Sequence, residues 1–178
     1  MEGRRVTVSS YAESLNLTVV VGNPRPRGRT SAAALRVAAA IAPDVQPTTI
    51  ELADLGPALL DWSDPDVAAA VATAKAADVL ILATPTYKAT FTGLLKLFLE
   101  RFEGDTGLAG VVAVPVQLGG SDRHRLAPEV HLKPVLAELG ATVPTPALYL
   151  LDQEVDGDAE RAWLARWVPV IRRQVGRR

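Results

Sequence analysis

The sequence contains no cysteine. That excludes disulfides, a thiolate nucleophile, iron–sulfur clusters and cysteine-based zinc sites. Histidine is scarce too: His124 and His131 are the whole supply. Seven residues apart on one helix, they would share a face about 10 Å from each other, too far to chelate one ion. No metal site is expected. Neither sign of charge is in excess, since 19 Lys and Arg face 20 Asp and Glu for a net charge of −1. That balance gives no support to a nucleic-acid partner. Long apolar runs are missing as well. The longest are strand-length, and none approaches the about 18 residues of a membrane span. The first 16 residues lack the apolar stretch of a secretory signal. The expectation is a soluble, cytoplasmic protein with neither a membrane nor a nucleic-acid partner.

What the chain does have is apolar residues, 48% of 178. This fits one domain with a sizeable core. Residues 1–16 are polar and read as a poorly ordered N-terminal extension, leaving 17–178 as the domain. Residues 17–22 (LTVVVG), 78–84 (DVLILAT) and 109–118 (AGVVAVPVQL) are continuous apolar runs of strand length, the pattern of parallel strands buried on both faces. Pro115 should mark a bulge or a strand end in the last of these. Shorter strands are expected at 47–52 and within 141–151. Helices are expected at 30–41, 66–77, 93–101, 123–139 and 158–174, with Pro128 and Pro134 starting or kinking the fourth and Gly140 closing it. Residues 54–65 read as a loop. Strands alternating with helices predict an α/β fold, a three-layer flavodoxin-like architecture. Its five-stranded parallel sheet has order 2-1-3-4-5 and helices on both faces. Ligands of such sheets bind beyond the strand C-termini, at the switch point, so the loops after strands one, three and four matter most.

The first of these loops, residues 22–30 (GNPRPRGRT), leads into a helix. Helix N-termini present free N–H groups and a positive dipole end, so phosphate binds there. Three arginines in five residues, Arg25, Arg27 and Arg29, have no packing rationale. Arg29 can contact an anion bidentately, and Thr30 can cap the helix or donate its hydroxyl. The spacing fits neither the P-loop, whose second glycine comes one place earlier and is followed by Lys, nor the GxGxxG of dinucleotide sites. After strand three, Pro85, Thr86, Tyr87 and Lys88 offer small polar groups, an aromatic surface and a cation, a mixture suited to a planar polar ligand. After strand four, Gly119 and Gly120 permit close backbone approach.

Three segments together resemble the NADPH-dependent FMN reductases of two-component sulfonate monooxygenase systems: GNPRPRGRT at 22–30, TPTYKATFTGLLKLFLE at 84–100 and GGSDRHRLAPEVHLKPVL at 119–136. The resemblance implies that the first loop holds the FMN phosphate through Asn23, Arg25, Arg29 and Thr30. Asn23 and Gly28 stand where the family commonly has serines. It also implies that Pro85, Thr86, Tyr87 and Lys88, with Gly119 and Gly120, face the isoalloxazine ring. The helix from Arg123 resembles the family's oligomer-forming region, which implies a homodimer or homotetramer. Some members carry an inserted Tyr there, where this chain has Val130 and His131.

The implied function is NAD(P)H-dependent reduction of FMN, with hydride passing from the nicotinamide to flavin N5 and reduced flavin serving a flavin-dependent monooxygenase. FMN and NADPH are the expected cofactors. Hydride transfer needs two stacked rings and little side-chain acid–base chemistry, so no catalytic residue is nominated. The rival readings are an FMN-containing quinone or azo reductase, a flavodoxin-like electron carrier and a non-catalytic binding domain. The small net charge counts against the carrier, because flavodoxins tend to be strongly acidic.

Overall fold

Val19, Ile81 and Val114 sit side by side on three neighbouring strands, and none of them touches solvent. The computed structural model that contains them describes residues 15–176. Its strands are β1 (Leu17–Val21), β2 (Thr48–Glu51), β3 (Val79–Pro85), β4 (Val112–Gly119) and β5 (Leu148–Leu151). They form one sheet in the order β2-β1-β3-β4-β5, every pair parallel, as the alternation of strands and helices requires. Except for Leu15 and Asn16, the N-terminal extension lies outside the described residues. Asn16 already joins the sheet margin, donating its N–H to Asp78 at 2.9 Å.

Because side chains alternate along a strand, each central strand feeds two cores. Val19, Val21, Ile81, Ala83, Val114 and Val116 face α1 (Arg29–Ile41) and α6 (Asp158–Val175). Val20, Leu80, Leu82 and Ala113 face α3 (Pro65–Lys75), α4 (Gly93–Leu99) and α5 (Lys133–Glu138). Strands buried this way have no solvent face, which is why their sequences run apolar without alternation. Arg36 of α1 bolts to α6: its guanidinium grips both oxygens of the buried Glu160 at 2.7 and 3.0 Å.

Several elements depart from the sequence expectation. Residues 54–65 are not a plain loop. A short helix, α2 (Leu52–Leu55), and a tight helical turn at Gly56–Leu60 occupy their first half, anchored by buried Leu52 and Leu59. The helix expected over 123–139 is three pieces: a turn at Asp122–His124, a wide π-type turn at Pro128–Leu132, and α5. Pro128 and Pro134 each lack the N–H that would continue the ladder, and the residues after α5 close at Gly140 with φ +83°. With no continuous helix between them, His124 and His131 do not share a helix face. Pro115 neither bulges nor ends its strand. Its register with Leu82 is unbroken. Ala113 donates toward Thr142, so Pro115, two residues on, turns its missing N–H to that same side, ahead of the point where β5 begins pairing at Val116. The fifth strand is correspondingly short, Leu148–Leu151, with only a single bridge at Thr142 before it. Among the described residues, no helix is long and apolar enough to cross a membrane.

Candidate functional site

The loop between β1 and α1 leaves its helix open. Gly28 is the cap residue, and its carbonyl accepts from Ala32 at 3.0 Å. No side chain caps the helix, and no acid stands in its first turn. The first-turn N–H groups and the positive dipole end are therefore available to an anion. The loop is shaped from within. Asn23 donates its amide to Thr30 Oγ1 at 3.1 Å and accepts from the Arg25 N–H at 3.0 Å. Both Asn23 and Thr30 are buried. Having accepted that bond, the Thr30 hydroxyl keeps a proton to donate.

The three arginines have separate fates. Arg27 adopts φ +56°. Its N–H is held by Glu51 Oε1 at 3.1 Å, and its guanidinium lies on Asp54 at 2.8 and 3.2 Å. The hydrogen bond and charge of Asp54 hold that guanidinium above its ordinary pKa. Arg29 reaches the opposite way, 3.4 Å from Asp152. Arg25 is exposed and has no ion pair among the described residues. The same Glu51 oxygen also accepts from the Ser31 hydroxyl at 2.6 Å, while its other oxygen is buried without a partner. A groove of about 460 Å³ opens on this β2 side, lined by Arg27, Ser31, Leu35, Glu51 and Asp54. With two carboxylates and its one arginine neutralised, that groove suits no phosphate. On the other side of the loop Arg29 meets the single carboxylate of Asp152.

Beside it, β3 ends in a tight hairpin. Tyr87 and Thr90 exchange backbone hydrogen bonds around Lys88 and Ala89, whose φ values are +52° and +72°. Two positive φ angles make a type I′ turn, usually built from Asn and Gly. Here two ordinary residues hold it, with His131 Nδ1 fixing Thr90 Oγ1 at 2.9 Å. Tyr87 stands 45% exposed, and Lys88 is exposed. Thr92 joins this hairpin to the first loop. Its hydroxyl donates to the Gly22 carbonyl at 2.5 Å and caps α4 by accepting from Leu95. Gly22 is required there, since a Cβ would come 2.5 Å from that of Leu95.

The end of β4 completes the row. Thr86 donates its N–H to the Leu118 carbonyl at 2.7 Å, and its hydroxyl accepts from Gln117 Nε2 at 2.8 Å. Gly119 is buried against the Tyr149 hydroxyl, which would overlap any side chain at that position. Gly120 opens onto free space. The Tyr149 hydroxyl donates to the Ser121 carbonyl at 2.8 Å, and the Asp152 N–H donates to the Gly119 carbonyl at 3.1 Å. Arg125 lies 5.7 Å from the Tyr149 ring centre and pairs with Asp122 and Glu154, carboxylates that raise its pKa.

The fold thus gathers all three loops along one edge of the sheet. Thr86 touches Gly119 and Asn23 touches Thr30, while Tyr87 and Lys88 stand away from the core. Five neighbours went unremarked in the sequence: Glu51, Gln117, Arg125, Tyr149 and Asp152. Only Gln117 carried a visible signal, an amide inside the otherwise apolar run of β4.

Several known proteins are similar to this chain. A family model described as NADPH-dependent FMN reductase matches residues 15–156. An FMN reductase (NADPH) of Pseudomonas putida is 40% identical over 79 residues, 44% of this chain and 40% of that protein, so the match spans less than half of the relative's length. An NADH-dependent FMN reductase, SfnE, also of Pseudomonas putida, is 30% identical over 138 residues, 73% of this chain and 74% of its own. The solved structure of an NADH:FMN oxidoreductase in its apo form superposes with a TM-score of 0.81 at 33% identity, covering 89% of each chain.

Proposed function

This chain belongs to the NADPH-dependent FMN reductase family, and on that premise we propose that it oxidises NAD(P)H to reduce FMN. The observation that carries the reading is the uncapped N-terminus of α1. It begins at Arg29, whose guanidinium reaches Asp152, and it lies with the hairpin at 86–90 and the Gly119–Gly120 backbone beyond the C-terminal ends of β1, β3 and β4.

The residues present fit FMN. An open helix terminus with a neighbouring arginine suits a phosphate dianion. A glycine backbone facing free space suits a flat ring, and Tyr87 offers it an apolar wall. Bound FMN supplies the hydride acceptor. The chain's task is then to bind and orient. The first-turn N–H groups, Arg29, Arg25 and the Thr30 hydroxyl hold the phosphate. Pro85, Thr86, Tyr87, Lys88, Gly119 and Gly120 would hold the ring. No side chain needs to gain or lose a proton for that role. Reduced flavin then passes to a flavin-dependent monooxygenase, and the protein works in the cytoplasm as a homodimer or homotetramer.

The test is purified protein with NADPH or NADH and excess free FMN, following the loss of nicotinamide absorbance. A parallel arm replaces free FMN by a quinone. Turnover that rises with free FMN supports the reading. Turnover only with quinone would make the protein a quinone reductase with retained flavin. Neither oxidation nor flavin binding would sink it.

A further inference from the structure

Gln117 is the only amide in the buried run of β4, and it is wholly enclosed. Its neighbours in register are Thr84 on β3 and Tyr149 on β5, so a row of polar side chains crosses the sheet just below the ring-side loops. Of the two amide ends of Gln117, one is bonded and one is not. Nε2 donates to Thr86 Oγ1 at 2.8 Å, and Oε1 is buried without a partner. Turning the amide over would strand both hydrogens of the NH₂ group in the interior. A partnerless carbonyl is the more tolerable of the two, so the amide donates.

A buried polar group that is half satisfied works against stability. An apolar side chain of the same size would serve the fold at least as well. What Gln117 does accomplish is to fix the direction of one proton. The Thr86 hydroxyl has a single hydrogen. With its oxygen accepting from Gln117, that hydrogen points away from the amide. Thr86 lies just beyond the end of β3, two residues past Thr84, partly exposed and against Gly119. A Cβ on that glycine would stand 2.9 Å from Thr86 Oγ1, and the next residue, Gly120, adjoins open space.

We infer that Thr86 is a hydrogen-bond donor to an acceptor atom on the edge of the flavin ring, and that Gln117 is the positioning residue that turns its hydroxyl outward. This rests on the FMN reading above. It assigns the pair to recognition of the ring rather than of the phosphate.

The experiment compares dissociation constants for FMN and for riboflavin, which lacks the phosphate, in wild-type protein and in Thr86→Val, Thr86→Ser, Gln117→Met and the Thr86→Val/Gln117→Met double variant. Losing one neutral donor should weaken binding about fivefold. For Thr86→Val the loss should be equal for the two flavins, and Thr86→Ser should restore it. Gln117→Met should weaken both flavins about threefold with undiminished thermal stability, and should add nothing once Thr86→Val is present, the mark of a coupled pair. Two results overturn the inference: Thr86→Val binding both flavins as wild type does, or Gln117→Met weakening binding equally in either background. Wild-type protein that binds neither flavin overturns the FMN reading and this inference with it.

Discussion

Arg29 and Asp152 stand 3.4 Å apart across the edge of the sheet, so the cation nearest the open helix terminus already has an anion beside it. Both side chains are largely exposed, 66% and 44%, and an exposed pair contributes at most about 1 kcal/mol. A hydrogen bond to a charged group contributes about 1.5–3 kcal/mol, so a phosphate outcompetes the carboxylate. Arg29→Ala should weaken FMN binding by about 1.5–3 kcal/mol, on the order of 10- to 150-fold, and leave riboflavin binding unchanged. Asp152→Asn should act oppositely and tighten FMN about two- to fivefold by removing a competitor worth under about 1 kcal/mol. Fluorescence-quenching titrations with both flavins measure this. Weaker FMN binding by Asp152→Asn would mean that Asp152 aims Arg29 at the ligand.

Gly119 is fixed by a neighbour rather than by its backbone angles. A methyl group there overlaps the Tyr149 hydroxyl and crowds Thr86 Oγ1. Gly119→Ala should destabilise the protein by about 1–3 kcal/mol, as overpacking does, and impair flavin binding as well. Adding Tyr149→Phe removes the obstructing oxygen and should recover part of the stability. Gly120→Ala, which meets open space, should unfold at nearly the wild-type temperature. Thermal melts of the three variants decide it.

Glu51 holds the backbone of the first loop from its β2 side. Its Oε1 accepts from the Arg27 N–H and the Ser31 hydroxyl. Glu51→Ala frees a residue held at positive φ and should cost about 2 kcal/mol of stability. FMN affinity should fall and riboflavin affinity should hold, although Glu51 lies on the β2 side of the loop. Equal losses for both flavins would indicate a general loosening instead.

Arg36 and Glu160 clamp α1 to α6 through two parallel hydrogen bonds, with the carboxylate almost fully enclosed. Removing the cation alone strands a buried charge. Arg36→Met should therefore cost about 3 kcal/mol, and Arg36→Met with Glu160→Met much less. Urea denaturation at neutral pH gives both numbers. No effect on flavin affinity is expected, since Arg36 lies about two turns down α1 from Arg29.

The covered parallel sheet was legible in the sequence, and its order was the flavodoxin-like one that five strands alternating with helices fit. Runs such as 78–84 are apolar on both sides, and only a covered parallel sheet accommodates that. The positions of the three loops beyond β1, β3 and β4 were legible, since each follows one of those runs. What escaped is whatever depends on a neighbour distant in the chain. Asp152 lies 123 residues after Arg29 (152 − 29), and Tyr149 lies 30 after Gly119 (149 − 119). Neither pairing leaves a local signature. The split of 123–139 into separate turns was half visible. Pro128 and Pro134 announced a break, but the wide turn at Pro128–Leu132 depends on how the segment packs on the sheet.

The bond from Thr92 to the Gly22 carbonyl has a consequence for engineering. Together with Asp152 to Gly119 and Thr86 to Leu118, it laces the loops into one rim. The loops are therefore not interchangeable cassettes. A first loop transplanted from a relative without its Thr92 counterpart would lose its footing on the hairpin, so new ligand preferences are better sought by exchanging the whole rim as one module.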